Sequence, residues 1–69
     1  MYLVIEIQTS DAGVVSNIVQ SYSSRAEAES RYYTIMASAC ISSIAIHSVV
    51  LMTNEGFTIM SNCYKHSAT

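Results

Sequence analysis

The sequence contains no proline and no tryptophan, and its only glycines are Gly13 and Gly56. The absence of proline excludes proline-rich linkers and polyproline recognition segments. Two isolated glycines cannot form the glycine-rich loops with which many proteins cradle phosphate groups. With 69 residues and no segment of linker composition, we expect one domain that covers residues 1–69.

Charged residues are scarce as well. They make up 12% of the chain, about half of their share in an average soluble domain. The positive charges are Arg25, Arg31 and Lys65, and the net charge is −2. Because duplex nucleic acid is held through several Lys and Arg contacts to phosphates, we expect no binding to it. A small anion such as a nucleotide stays possible if copies of the chain bring their arginines together.

The chain also lacks the usual covalent and membrane anchors. Cys40 and Cys63 are the only cysteines, and without a Cys-x-x-Cys pair they predict neither a metal site nor a cofactor. The longest apolar runs, residues 3–5 and 49–52, are too short to span a bilayer, and the N-terminus does not read as a signal peptide. We therefore expect a protein of the cytoplasm with reduced thiols and no membrane contact.

Alternating apolar residues predict two β-hairpins. Residues 2–9 and 14–22 read as one pair of strands, and residues 44–53 and 57–64 read as a second pair. A glycine lies in each connecting turn, where it permits a positive φ angle. Residues 65–69 read as a loose tail.

One helix is predicted between the hairpins. Ser24 and Glu27 match a capping box, in which each side chain bonds the backbone amide of the other residue. The apolar stripe expected to pack on the sheet is Ala28, Tyr32, Ile35, Met36 and Ala39. A second apolar flank consists of Tyr33, Ala37 and Ile41.

The element order ββαββ predicts an α+β fold. We expect a four-stranded antiparallel sheet in the strand order 2-1-3-4, with the helix on one face. The opposite face is expected to carry Val4, Val14 or Val15, Val50 and Met52, which make it too apolar for water. Because one helix cannot cover both faces, a homodimer or higher homo-oligomer is predicted.

Six residues are candidates for ligand binding: Tyr22, Arg25, Arg31, His47, Tyr64 and His66. Tyr22 and Arg25 stand at the helix start, where free amides favour an anion; a solvated cap with packed tyrosines is the alternative. His47 either faces a ligand or is a half-buried, hydrogen-bonded histidine. Tyr64 and His66 either belong to a frayed tail or, folded over a subunit boundary, stack on a base and contact a phosphate.

No combination of residues predicts catalysis. Neither a Gly-x-Ser-x-Gly nor a Ser-x-x-Lys motif presents a serine nucleophile. Glu6 and Glu27 are the carboxylates with plausible burial, and nothing pairs them as an acid and a base. We therefore expect that the protein is not an enzyme.

Several segments match a recognisable group of proteins. They are residues 2–8 (YLVIEIQ), 26–32 (AEAESRY), 47–51 (HSVVL), Gly56 and residues 64–66 (YKH). Through them the chain resembles, over nearly its full length, small uncharacterised proteins encoded by phages and mobile elements of Gram-positive gut bacteria.

This resemblance implies a function in the cytoplasm of a bacterial host. Phage proteins of this size and expected oligomeric state resemble sponges that sequester nucleotide immune signals such as cyclic ADP-ribose derivatives. The implied function is non-enzymatic binding of such a signal between subunits, which inhibits anti-phage defence. The alternative is a protein-binding module or an inhibitor acting on a host or phage enzyme. A third hypothesis is a small enzyme that cleaves such a signal.

Overall fold

A computed structural model, which describes residues 1–66, shows four strands and one helix. The elements are β1 (Tyr2–Thr9), β2 (Val15–Tyr22), α1 (Arg25–Ile41), β3 (Ile46–Thr53) and β4 (Thr58–Lys65). The strands form one antiparallel sheet in the order β2-β1-β3-β4. This confirms the predicted α+β fold, the ββαββ element order and the strand order.

Both hairpin turns depend on a glycine. Gly13 has a φ of 83° and Gly56 a φ of 97°, a region that residues with a Cβ rarely adopt. The amide of Gly13 donates to the carbonyl of Ser10 over 2.9 Å, and the amide of Gly56 donates to the carbonyl of Thr53 over 3.0 Å. The two glycines therefore reverse the chain where the sequence predicted turns.

α1 begins at the predicted cap. The Ser24 hydroxyl accepts a hydrogen bond from the Glu27 amide over 3.4 Å, which satisfies one of the free amides of the first turn. The residues of the helix that are buried against the sheet are Ala28, Tyr32, Ile35 and Ala39, all from the predicted stripe. Within residues 1–66, no helix is both long enough and apolar enough to cross a membrane.

The hydrophobic core lies between α1 and the face of the sheet that carries Val4, Val49 and Leu51. These three side chains are at most 1% exposed. The prediction that Val4 lies on the face opposite to the helix is therefore wrong. β1 is apolar on both faces, and alternation shows which residues share a face but not which of the two faces the helix covers.

The other face of the sheet, here called the open sheet face, is covered by no element of the described chain. The register places Leu3 beside Met52 and Ile5 beside Val50 on this face. Val15 joins them because it pairs with Thr9 of the same face. The predictions for Val15, Val50 and Met52 therefore agree with the register.

The last strand of the sheet extends further towards the C-terminus than predicted. β4 includes Lys65, and the amide of His66 donates to the carbonyl of Ala45 over 2.7 Å. The prediction of a loose tail is thus wrong for these two residues, because their backbone groups have partners beside β3. Its remaining part, residues 67–69, lies outside the described residues.

Candidate functional site

The six residues predicted to bind a ligand lie in separate parts of the molecule. Tyr22 pairs with Tyr2 at one end of β1, whereas His47 pairs with Gln8 near the other end. At about 3.3 Å per residue, the six steps along β1 from Tyr2 to Gln8 correspond to about 20 Å. No single cleft of one chain can therefore contain all six side chains.

At the first end, Tyr22 and Arg25 have partners within the chain. The Tyr22 hydroxyl donates to the Gln20 side-chain oxygen over 3.2 Å. The Arg25 guanidinium donates to the Glu29 carboxylate over 2.7 Å, and this hydrogen bond raises the pKa of Arg25 above its ordinary value. This is the geometry of a solvated helix start with a surface ion pair, the alternative to an anion site.

Arg31 is half-buried in the middle of α1, and its charge affects Glu6 on β1. Its positive charge helps to lower the pKa of Glu6. Its buried Nε has no hydrogen-bond partner within residues 1–66, which is uncommon for a buried donor. Arg31 thus supplies a positive charge beneath the helix rather than at the helix start.

His47 stands at the centre of a buried polar network. It is 2% exposed, its Nε2 lies 2.6 Å from Oε2 of Glu6, and its Nδ1 lies 3.0 Å from the Ser42 hydroxyl. Both ring nitrogens therefore have partners in the chain, which leaves no free polar atom of His47 for a ligand. The network joins β1, β3 and the residue that follows α1.

The charge of Glu6 determines how this network is bonded. Burial by itself would raise the pKa of Glu6, but hydrogen bonds from His47 and Gln8 and the charge of Arg31 lower it, and the net pKa lies below its ordinary value. Glu6 is therefore ionised at neutral pH and can only accept, so Nε2 of His47 carries the hydrogen. The Ser42 hydroxyl then donates to Nδ1 of the neutral ring or accepts from Nδ1 of the protonated ring.

The combination of Ser42, His47 and Glu6 differs from a hydrolytic triad. In such triads the serine bonds Nε2 of an accessible histidine and the carboxylate bonds Nδ1, whereas here the two partners are exchanged and His47 is buried. The Ser42 oxygen also accepts from the amide of Ile44 over 3.4 Å. The arrangement holds three chain segments together and does not present a nucleophile.

Tyr64 and His66 form an ordered aromatic pair beside the C-terminal end of α1. Their rings are nearly parallel, at 5°, with centroids 6.2 Å apart. Nε2 of His66 donates to the carbonyl of Ala39 over 2.6 Å, which satisfies a carbonyl in the last turn of the helix. The pair therefore belongs to the fold rather than to a frayed tail, and it exposes a stacked aromatic surface at the sheet edge.

A cleft of about 380 Å³ opens near the same end of the sheet, a volume typical of small-molecule sites. It lies between the β1–β2 turn and the loop that follows α1. Its lining residues are Gln8, Ser10, Asp11, Val14, Ser16, Ser43, Ile44 and Ala45. None of them was predicted from the sequence to bind a ligand, because dispersed serines and a glutamine form no motif.

The lining of this cleft mixes polar and apolar side chains, with a single carboxylate and no cation. Its hydroxyl, amide and carboxylate groups suit the hydroxyl and amide groups of an uncharged molecule or of a nucleoside. A phosphate group at this cleft would need a positive charge from elsewhere, for example from a second copy of the chain.

Within residues 1–66, no three His, Cys, Asp or Glu side chains come close enough to hold a metal ion. Comparison of the chain with protein-family models, with curated proteins and with solved structures found no match.

Proposed function

We propose that this chain is a phage-encoded, non-enzymatic binding protein that acts as a homo-oligomer in the cytoplasm of a bacterial host. It holds a small nucleotide-derived immune signal of the cyclic ADP-ribose type and thereby inhibits anti-phage defence. The observation that carries this proposal is the cleft of about 380 Å³ with its hydrogen-bonding lining. The resemblance to small phage proteins supports the biological setting.

The surroundings of the cleft support a nucleotide rather than a purely apolar ligand. Asp11 and the serines of the lining are suitable partners for ribose hydroxyls. Tyr64 and His66 offer an aromatic surface on the other side of β3, and such surfaces stack on bases. Because the cleft lacks a cation, binding of the phosphates would need a positive charge from outside its lining.

Binding without cleavage is supported by the state of the most reactive-looking group. His47 is buried and both of its nitrogens are occupied. A general base must come within hydrogen-bond reach of the proton that it abstracts, and His47 is closed off from any substrate.

Thermal unfolding with and without nucleotides tests the proposal. The probes are cyclic ADP-ribose isomers and cyclic dinucleotides, and the recovered nucleotide is checked for integrity. A ligand at 100 times its dissociation constant stabilises the native state by about 2.7 kcal/mol, which raises Tm by about 10 to 20 °C in a domain of this size. Absence of a shift with every probe contradicts nucleotide binding, and a cleaved nucleotide contradicts the non-enzymatic function.

A matched pair of variants locates the site. Ser16→Tyr fills the cleft with a large side chain and should abolish the thermal shift. Ser30→Tyr makes the same change on the exposed surface of α1 and should leave the shift intact. Equal thermal shifts in both variants would show that the ligand binds outside the cleft.

An exposed edge strand favours the second candidate function, a module that binds a host or phage protein. The residues of β2 are exposed except for the half-buried Tyr22, and within residues 1–66 β2 pairs only with β1. Edge strands of this kind accept a further strand from a partner. Ile18, 52% exposed, provides the test: a stoichiometric partner from infected-cell lysate should bind the wild type and not Ile18→Lys. A partner that binds both equally would not use this edge.

A further inference from the structure

The open sheet face is an apolar surface that no element of the described chain covers. Pairing across the strands places eight apolar side chains on it: Leu3, Ile5, Ile7, Val15, Val19, Ile46, Val50 and Met52. The polar residues between them are small and include Asn17, Ser48 and Ser61. A face that met water throughout would carry mainly polar or charged residues instead, alternating along each strand with the apolar residues of the core face.

The charges of the chain avoid this face. The eight charged residues are distributed as Glu6 under the helix, Asp11 and Glu55 in turns, Arg25, Glu27, Glu29 and Arg31 on α1, and Lys65 at the end of β4. Only Lys65 points to the open sheet face, and it lies at the rim, on an edge strand. Depletion of charge at the centre with polar groups at the rim is typical of protein interfaces.

We propose that the open sheet face is a symmetric interface on which two copies of the chain pack sheet against sheet. Ile5 and Val50 pair with each other midway along the two central strands, so they lie at the centre of the contact. This inference deepens the homo-oligomer of the proposed function by naming its surface, and it does not depend on the ligand.

The size of the face is sufficient for this role. Strands of eight residues are roughly 26 Å long, and four strands are roughly 19 Å wide, which gives a footprint of roughly 500 Å². Two copies would bury roughly 1,000 Å², the lower limit for a specific interface. Packed sheets lie about 10 Å apart, with side chains of the two faces interdigitated.

A second copy fits this face better than a partner of different chemistry. The face offers no cluster of charges that would select an acidic or basic partner, whereas a nearly neutral apolar surface is complementary to itself under two-fold symmetry. Two of the other exposed apolar residues lie on α1. Tyr33 packs edge-on against Tyr32 and donates to the sulfur of Met60, and Ile41 is the last residue of the helix.

The mass of the protein in solution is the first test. Light scattering after size exclusion, at a protein concentration of about 100 µM, should give twice the mass of the 7.5 kDa chain or a multiple of that value. Val50→Lys places a charge at the centre of the interface and should give the mass of one chain. Ile41→Lys, at a position that is 86% exposed on α1, is the matched control and should leave the mass unchanged.

The two cysteines provide a second test that needs no variant. In a single chain both thiols are exposed, but Cys63 pairs with Ser48 on the open sheet face, whereas Cys40 lies on α1. Alkylation by iodoacetamide, followed by mass spectrometry, should be slowed at Cys63 relative to Cys40 by on the order of tenfold at high protein concentration, because thiol chemistry requires access. Dilution should remove this difference.

The two measurements together decide the proposal even if Val50→Lys does not fold. A wild-type protein with the mass of one chain overturns it, as does a ratio of alkylation rates that is independent of concentration. The proposal is also overturned if Ile41→Lys dissociates the oligomer whereas Val50→Lys leaves it intact. That result would show that the interface lies on α1. Absence of nucleotide binding in a protein that keeps the mass of a dimer or of a multiple of it contradicts only the nucleotide part of the proposed function.

Discussion

Replacing His47 by phenylalanine tests whether the buried network stabilises the fold. The phenyl ring occupies a similar volume but has no nitrogen, so Glu6 and Ser42 each lose a hydrogen-bond partner. The Glu6 side chain is 12% exposed, so water can replace the lost donor only in part. Loss of a hydrogen bond to a charged, mostly buried group costs about 1.5 to 3 kcal/mol.

This cost is large for so small a protein. At about 0.05 to 0.15 kcal/mol per residue, a chain of this length has a free energy of unfolding of about 3 to 10 kcal/mol. Urea unfolding followed by circular dichroism at pH 7 measures the loss. With an m value of about 1 kcal/mol per molar urea, His47→Phe should lower the midpoint by roughly 2 M. All variants are compared at one protein concentration, because association would add to the apparent stability.

A double-mutant cycle separates the pair from ordinary packing. Glu6→Leu alone should also destabilise, because Nε2 of His47 then lacks an acceptor. The double variant Glu6→Leu/His47→Phe removes both polar groups and should be more stable than His47→Phe alone, since replacing both partners of a buried pair by apolar groups is nearly neutral. We expect a coupling energy on the order of 2 kcal/mol. Strictly additive losses would refute the reasoning.

His66→Phe is the control for this series. His66 is exposed, and the carbonyl of Ala39 that accepts from it also accepts from the amide of Ser42 over 3.3 Å, so it keeps a partner in the variant. The substitution should therefore cost less than about 1 kcal/mol. A loss as large as that of His47→Phe would show that burial does not determine the cost.

Two further predictions concern acid stability and the helix start. The pKa of Glu6 in the folded protein lies below the ordinary value of 4.5. The stability that its charge contributes is therefore fully present above pH 4.5 and is lost as the pH falls through the folded pKa. The urea midpoint of the wild type should exceed that of Glu6→Gln by a constant amount at neutral pH and by less below pH 4.5; a difference independent of pH would contradict this. Ser24→Ala removes the N-cap and should cost about 1 kcal/mol, whereas Ser23→Ala, beside the cap, should change Tm little; equal melting temperatures of the two variants would contradict a capping role.

The local structure of the chain follows from short-range patterns. Gly13 and Gly56 mark the two turns because only glycine readily takes their positive φ angles. Ser24 and Glu27 mark the helix start because the serine satisfies an amide of the first turn. The strands follow from an apolar period of two residues, and the apolar stripe of α1 follows from a period of 3.6 residues. Residues close in sequence are sufficient to specify both periods.

The candidate site could be predicted only in part. His47 was predicted as a candidate residue and Glu6 as a carboxylate with plausible burial, but the two are 41 residues apart in the sequence. Their contact requires the register of β1 against β3, and no local pattern encodes that register. The lining of the cleft was missed for the same reason, since it is assembled from a turn, two strands and a loop.

The sequence by itself determined the elements and their order, because these depend on local periodicity and turn residues. It also determined the strand order, because β1 and β3 are the most apolar strands and therefore suit the central positions. Only the tertiary structure decided which face of the sheet α1 covers. β1 carries Leu3, Ile5 and Ile7 on one side and Val4 on the other, so alternation permits both choices. Packing of Val4, Val49 and Leu51 under the helix decides between them, and it leaves the more uniformly apolar side of β1 uncovered.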